Sequence, residues 1–203
     1  MSKMISVVIP THNNHKEKNF SLGYTLKSLS HQANQNFEII VVNDRCTDNT
    51  IQKAKQINPD IHVVEGEQIS CNLGSIRNIG ARESNGEIIV FLDEDIILAD
   101  PGVFNCIVAT LETYDFTCGA KRYWSSPYWY RHVMLDQSIS SIINTLRDIS
   151  ILPIGINKSI GFRDLNEFTF IGGFGAMRKD IFMKSGGFSE EFTGWGLEDT
   201  EYM

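Results

Sequence analysis

An α/β fold, with a mostly parallel central sheet and helices on both faces, is the architecture this sequence predicts. Three observations predict it. Short apolar, β-branched runs recur through the first half of the chain, stretches of helical spacing separate them, and polar clusters follow the runs directly. A chain of 203 residues with 42% hydrophobic and 21% charged residues can bury such a core. That balance excludes a disordered, collagen-like or coiled-coil chain.

The elements follow in order. Residues 5–9 (Ile5, Val7, Val8, Ile9) make the first strand, which Pro10 is expected to stop before the polar turn Thr11-His12-Asn13-Asn14. From 20 to 32, Leu22, Leu26 and Leu29 recur at helical spacing. Residues 38–42 make the second strand, ended by Asn43-Asp44, and Thr47 or Asp48 can cap a helix through about 57. Residues 61–64 read as a third strand. A helix over 72–81, carrying Ile76, Ile79 and Ala81, is closed by Gly86, and 87–92 make the fourth strand. Strands joined through helices imply right-handed crossovers, and ligands of such sheets collect at the carboxyl ends of the strands. Those ends read Pro10-Thr11-His12-Asn13, Asn43-Asp44 and Asp93-Glu94-Asp95.

After Asp100 the pattern loosens. A helix near 103–111, a strand near 116–120, an aromatic stretch (Tyr123, Trp124, Tyr128, Trp129, Tyr130) and an apolar helix near 139–146 follow. A strand with two glycines over 168–177, a short helix at 179–184 and the turn Gly186-Gly187 come next. No repeat or linker divides the chain, so one domain over 1–203 is expected.

Eighteen Lys+Arg against 25 Asp+Glu give a net charge of −7, so no overall basic field for nucleic acid exists. Cys46, Cys71, Cys106 and Cys118 form no C-x-x-C pair, which argues against a structural zinc site or a disulfide framework and for a reducing compartment. No run nears the roughly 18 apolar residues of a membrane span, and Met1-Ser2-Lys3-Met4 leads straight into the first strand. A cytoplasmic protein is expected, with peripheral attachment at the cytoplasmic face of a membrane left open.

The acidic triplet carries the chemistry. Adjacent carboxylates repel and must be solvated or neutralised by a cation. In an extended segment Asp93 and Asp95 project to one side, and so can share a divalent ion, or divide an ion and a ribose hydroxyl between them. Mg²⁺ and Mn²⁺ favour few carboxylates plus phosphate oxygens, which makes a nucleoside diphosphate the natural co-ligand. A solvated acidic turn is the plainer alternative. Asp44 can accept a base N–H, with Asp48 left to the turn. Arg77 can offset a diphosphate or form a surface ion pair. Trp195 either lies in a loop that approaches a ligand closely, as the flanking Gly194 and Gly196 favour, or simply packs.

In order along the chain, Val7-Val8-Ile9-Pro10-Thr11-His12-Asn13, Val41-Val42-Asn43-Asp44-Arg45-Cys46-Thr47-Asp48, Arg77-Asn78-Ile79-Gly80-Ala81 and Phe91-Leu92-Asp93-Glu94-Asp95 resemble glycosyltransferase family 2, the inverting enzymes of the GT-A fold. Gly172-Gly173, Arg178 and Gly186-Gly187-Phe188 continue the likeness. Gly194-Trp195-Gly196-Leu197-Glu198-Asp199 is similar to the G-W-G-x-E-D segment of galactosyl- and N-acetylgalactosaminyl-transferases. The resemblance implies a nucleotide pocket lined by Pro10, Thr11 and Asn13, with Asp44 on uracil, Arg77 near the diphosphate and Asp93 on ribose or metal. It further implies Asp95 on Mn²⁺ or Mg²⁺, Glu198 and Trp195 on the acceptor sugar, and Asp199 as general base. A nucleotide-binding half over about 1–100 and an acceptor half over about 101–203 follow from it. The partners implied are a UDP-linked sugar donor and a glycan or other hydroxyl acceptor.

Two departures stand out. The usual D-G-S-T-D is Asp44-Arg45-Cys46-Thr47-Asp48 here, so Arg45 either reshapes the pocket or points to solvent. None of His12, His15, His31, His62 and His132 stands where the family's further metal-binding His belongs, and a truncated acceptor half is expected. A non-catalytic nucleotide-sugar-binding module is the second reading. A sugar-phosphate nucleotidyltransferase is the third, and it would want a glycine-rich basic loop where Thr11-His12-Asn13-Asn14-His15 stands.

Overall fold

The computed structural model describes residues 3–14, 20–66, 72–98, 100–118 and 173–191. The expected aromatic stretch at 123–130, the helix at 139–146, the opening residues of the strand begun at 168, and Trp195, Glu198 and Asp199 lie outside the described residues. The described elements are β1 (Ile5–Thr11), α1 (Ser21–Leu29), β2 (Phe37–Asn43), α2 (Thr50–Ile57), β3 (His62–Glu65), α3 (Leu73–Glu83), β4 (Ile88–Leu92), α4 (Val103–Thr110), β5 (Phe116–Cys118), β6 (Phe174–Arg178) and α5 (Lys179–Ser185). They form a six-stranded sheet in the order β3-β2-β1-β4-β6-β5. β1 to β4 pair in parallel, whereas β6 runs antiparallel to β4 and to β5.

Burial on both sheet faces explains why the strands read as continuous apolar runs. Ile5, Val7, Ile9, Val41, Val90 and Leu92 pack on one face against Leu22, Leu26 and Leu29 of α1, Ala54 of α2, and Phe104 and Ile107 of α4. Val8, Ile40, Val42, Ile89 and Phe91 turn the other way, to Ile76 and Ile79 of α3, Phe182 of α5, and Phe188. Each large side chain buried this way contributes about 1.5–3 kcal/mol. No helix among the described residues is long and apolar enough to cross a membrane.

Pro10 does not stop the first strand, as expected from its missing N–H; β1 continues through it to Thr11, in register with Val42 and Asn43. The reason is directional. Thr11 O accepts from Asp44 N on the β2 side, so the polar groups of Pro10 face the β4 side, where the ladder has already ended at Val8 and Phe91. No donor is needed there. Two helix ends also differ from expectation. Asn49 rather than Thr47 or Asp48 precedes α2, with Asp48 Oδ1 accepting from Thr50 N at 3.0 Å. α3 ends at Glu83, and Gly86 lies beyond it, donating its N–H to Ser6 Oγ.

The connection from β4 to α4 is held by α1. Thr25 Oγ1 donates to Glu94 O at 2.8 Å, Ser28 Oγ accepts from Leu98 N at 3.1 Å, and Gln32 bonds Asp100 O and Phe104 N. All three side chains are buried, and they satisfy main-chain groups that the loop itself leaves unpaired.

α3 lies close on the sheet because Gly80 has no side chain. A Cβ there would come within 2.3 Å of Val8 Cγ1 and 2.9 Å of Val42 Cγ2. Gly80→Ala is therefore expected to destabilise the fold by about 1–3 kcal/mol, the usual scale of overpacking. Urea unfolding checks this, and an unchanged midpoint would contradict so close an approach of α3 to β1 and β2.

Candidate functional site

The parallel strands β1, β2 and β4 end along one rim, and the expected site residues of the first half gather there. β1 delivers Pro10 and Thr11. Asn13 follows in the left-handed region at φ 46°, where asparagine is tolerated. Its Oδ1 accepts from Thr47 N at 2.8 Å, tying the loop after β1 to the loop after β2. Cys46 adds a second tie. Its Sγ accepts from Asn13 N at 3.2 Å and donates to Thr11 O at 3.6 Å. Burial pushes the Cys46 thiol up; the Asn13 N–H opposes this, and the carboxylates of Asp48, Glu94 and Asp44 add to it. The sulfur is thus kept as a protonated donor.

Asp44 is buried at the end of β2. Its Oδ1 accepts from Arg45 Nε at 2.8 Å, and its Oδ2 lies 3.9 Å from His12 Nδ1. The same His12 nitrogen donates to Asp44 O. Arg45 adopts φ 54°, a conformation costly for a side chain of its size. The bulky residue is half-buried. It folds back on the neighbouring carboxylate.

The acidic triplet differs from its expected geometry. Asp93 O accepts from Ile96 N at 3.2 Å, so 93–96 form a turn and not an extended segment. Asp93 is half-buried, Glu94 half-buried and Asp95 exposed. Glu94 turns inward, accepting from Thr11 Oγ1. Burial raises the Glu94 pKa, hydrogen bonds from Thr11 and Asn14 oppose that rise, and the Asp95 charge adds to it. Asn14 also accepts from Leu22 N at 2.9 Å, capping α1 from the same loop.

Arg77 reaches the rim from α3. The expected surface ion pair is present but buried. Its NH2 donates to Asp93 Oδ1 at 3.1 Å with the arginine side chain only 2% exposed, and its guanidinium lies 5.6 Å from the Phe188 ring centroid. Asp93 meets the buried guanidinium from a partly exposed position. The arrangement fixes one Asp93 oxygen inward.

Pro10, Thr11, Asn13, Asp44, Arg77, Asp93 and Asp95 therefore share one edge of the sheet, while Trp195, Glu198 and Asp199 lie outside the described residues. Among the described residues no three His, Cys, Asp or Glu side chains are grouped to hold a metal ion. Asp93 and Asp95 are hard oxygen donors, and two carboxylates completed by phosphate oxygens and water suit Mg²⁺ or Mn²⁺. Sequence reasoning missed Glu94, Asn14 and the thiol of Cys46. For Glu94 no local signal existed, because its inward turn depends on Thr11, which is distant in sequence.

Residues 6–186 match the family described as Glycosyl transferase family 2. The validoxylamine A glucosyltransferase of Streptomyces hygroscopicus subsp. limoneus is 27% identical over 219 residues, covering 98% of this chain and 46% of that protein. The mannosyltransferase PcManGT from Pyrobaculum calidifontis, in complex with GDP-Man and Mn2+, superposes with a TM-score of 0.65 at 20% identity, covering 100% of this chain and 51% of that one. S. aureus TarS 1-349 in complex with UDP-GlcNAc gives 0.63 at 20% identity, covering 98% and 52%. The chain spans about half the length of these relatives. Its sheet and helices are those of the GT-A fold, and the chain belongs to glycosyl transferase family 2.

Proposed function

We propose that this chain is a metal-dependent, inverting glycosyltransferase, acting in the cytoplasm, that moves a sugar from a UDP-linked donor to a hydroxyl of a glycan acceptor. One observation carries the reading: Asp44, Asp93 and Asp95 follow parallel strands whose ends one sheet brings to a common rim. A binding pocket there would be lined by Pro10, Thr11 and Asn13, with Asp44 accepting the base N–H. Its carboxylate is already oriented by Arg45 and His12. The finer likeness to galactosyl- and N-acetylgalactosaminyl-transferases rests on the sequence of 194–199.

Asp95 and Asp93 would hold the cation, and Arg77 acts through Asp93, whose carboxylate it orients. A bound Mn²⁺ or Mg²⁺ supplies electrophilic stabilisation of the departing diphosphate. The acceptor oxygen forms its bond to the anomeric carbon as the bond to the diphosphate oxygen breaks on the opposite side, so the configuration inverts. Asp199 takes the acceptor proton, with Glu198 and Trp195 holding the acceptor sugar, and the nucleoside diphosphate leaves with the bonding electron pair.

Calorimetric titration with UDP and Mn²⁺, beside a UDP-release assay over a panel of UDP-sugars, tests the whole reading. Binding with turnover supports it, binding without turnover favours a nucleotide-sugar-binding module, and absence of UDP binding removes both. Asp95→Asn is expected to abolish Mn²⁺-dependent UDP binding. Asp199→Asn should leave UDP affinity unchanged and lower turnover by about a hundred- to ten-thousandfold. Equal loss of UDP affinity in both variants would contradict this division of roles.

Glu94 provides a separate test through pH. Its folded pKa lies above the ordinary value because burial penalises the charge. A carboxyl raised in this way stabilises the fold fully below its unfolded pKa, and that contribution is lost as the pH rises through the folded value. The stability of Glu94→Gln relative to the parent chain should therefore improve between about pH 4 and pH 7. Urea midpoints measured across that range check the sign; a difference moving the other way would place Glu94 in a charge-stabilising site.

A further inference from the structure

Beyond the rim, α3 grips a second piece of chain. Residues 186–191 follow α5 and pass over α3 as a strap, and the sequence then runs on toward Glu198 and Asp199. Phe188 anchors the strap by packing against Phe91 of β4 and Phe182 of α5, with ring centroids 5.0 and 5.5 Å away. Apolar burial holds a ring in place but leaves the orientation of its main chain loosely specified. Asn78 specifies it. Its Oδ1 accepts from Phe188 N at 2.9 Å, and its Nδ2 donates to Phe188 O at 2.9 Å and to Glu190 Oε1 at 2.8 Å. One buried amide thus pairs with both main-chain groups of one residue, as a neighbouring strand would, and uses both of its N–H donors.

A second asparagine completes the grip. Asn72 caps α3 by accepting from Ser75 N at 2.9 Å and donates through Nδ2 to Glu190 O at 2.6 Å. Arg82 adds an exposed ion pair to Glu190 at 3.7 Å. Gly187 lies so close to the clasp that a Cβ there would come within 2.6 Å of Asn78 Oδ1, and its φ of 81° favours glycine. The neighbouring residue on α3 is Arg77, which touches both Asp93 and the Phe188 ring.

We propose that Asn78 is a positioning residue that docks the 186–191 strap on α3, and thereby fixes the point on α3 from which the sequence continues toward Glu198 and Asp199. The inference rests on the transferase reading only for its effect on turnover. The docking itself is independent of it. Only a side chain offering a donor and an acceptor in one plane can serve both main-chain groups of Phe188, so Asp, Ser and Ala all fail in different ways.

Four variants test this: Asn78→Ala, Gly187→Ala, Asn78→Asp, and Asn78→Asp combined with Glu190→Gln. Amide hydrogen exchange at Phe188 is expected to accelerate by about tenfold or more in Asn78→Ala and Gly187→Ala while Val90 in β4 stays protected. Turnover should fall by up to about a hundredfold with the donor KM and UDP affinity unchanged, as for a misplacement remote from the bonds that react. The double variant, which reverses donor and acceptor across the Asn78–Glu190 contact, should recover part of the turnover lost in Asn78→Asp. Unchanged exchange at Phe188 would overturn the docking role. A donor KM that rises together with the loss of turnover would make Asn78 a general stability residue. If the parent chain neither binds UDP nor transfers, the transferase reading falls, and the exchange rates alone decide the clasp.

Discussion

Three parallel strands ending along one rim form the constraint on which the rest of the structure depends. Where β1, β2 and β4 stop, their ladders stop as well, and each following loop must satisfy its own polar groups. The chain solves this by crossing between loops. Asn13 accepts from Thr47, Cys46 bonds Asn13 and Thr11, Thr11 donates to Glu94, and Asn43 Oδ1 accepts from Cys46 N. A rim stitched in this way is rigid before any ligand arrives, which lowers the cost of ordering it on binding. It also consumes the inward-facing polar groups and leaves the outward ones for chemistry.

The charges at this rim are managed by the same division. Three acids in a row cannot all lie on one surface without repulsion. Glu94 is turned in against Thr11 and Asn14, where burial favours its neutral form. Asp93 is shared with Arg77, and only Asp95 is exposed. Two of the three carboxylates are thus restrained from within the protein. Asp44 is treated alike by Arg45 and His12. Arginines from α3 and from the loop after β2 therefore set the orientation of Asp93 and Asp44, and the net charge of the whole chain says little about the local field.

Most of the fold was legible because sheet burial on two faces writes itself as apolar runs such as Ile39-Ile40-Val41-Val42, and because β-branched segments alternate with helical spacing. The strand through Pro10 was not legible, since it depends on which side of β1 still has a partner, a property of the register and not of the residue. The buried ladder of Thr25, Ser28 and Gln32 leaves no apolar signature in the sequence; only the passage of the chain after β4 across α1 buries it. At the site, the residues at strand ends could be named in advance, because topology alone fixes where strand ends meet. Glu94 and Asn78 could not be read for their roles. Each bonds to a segment distant in sequence, Asn78 across to Phe188, and no local pattern encodes such a pairing.

Arg45 shows how a local departure is absorbed. A side chain in the left-handed region costs about 1–2 kcal/mol relative to the right-handed alternative, and a glycine at that turn would avoid the cost. The strained backbone aims the Arg45 side chain back along the chain, so that Nε meets Asp44 Oδ1 at 2.8 Å. A charge-assisted hydrogen bond to a buried carboxylate is worth about 1.5–3 kcal/mol, enough to offset the strain. Among the described residues, a glycine would leave the Asp44 carboxylate only the longer contact with His12. The unusual residue therefore restrains the carboxylate that the rim presents, and the turn keeps its shape because the ion pair and the strain depend on the same backbone angle.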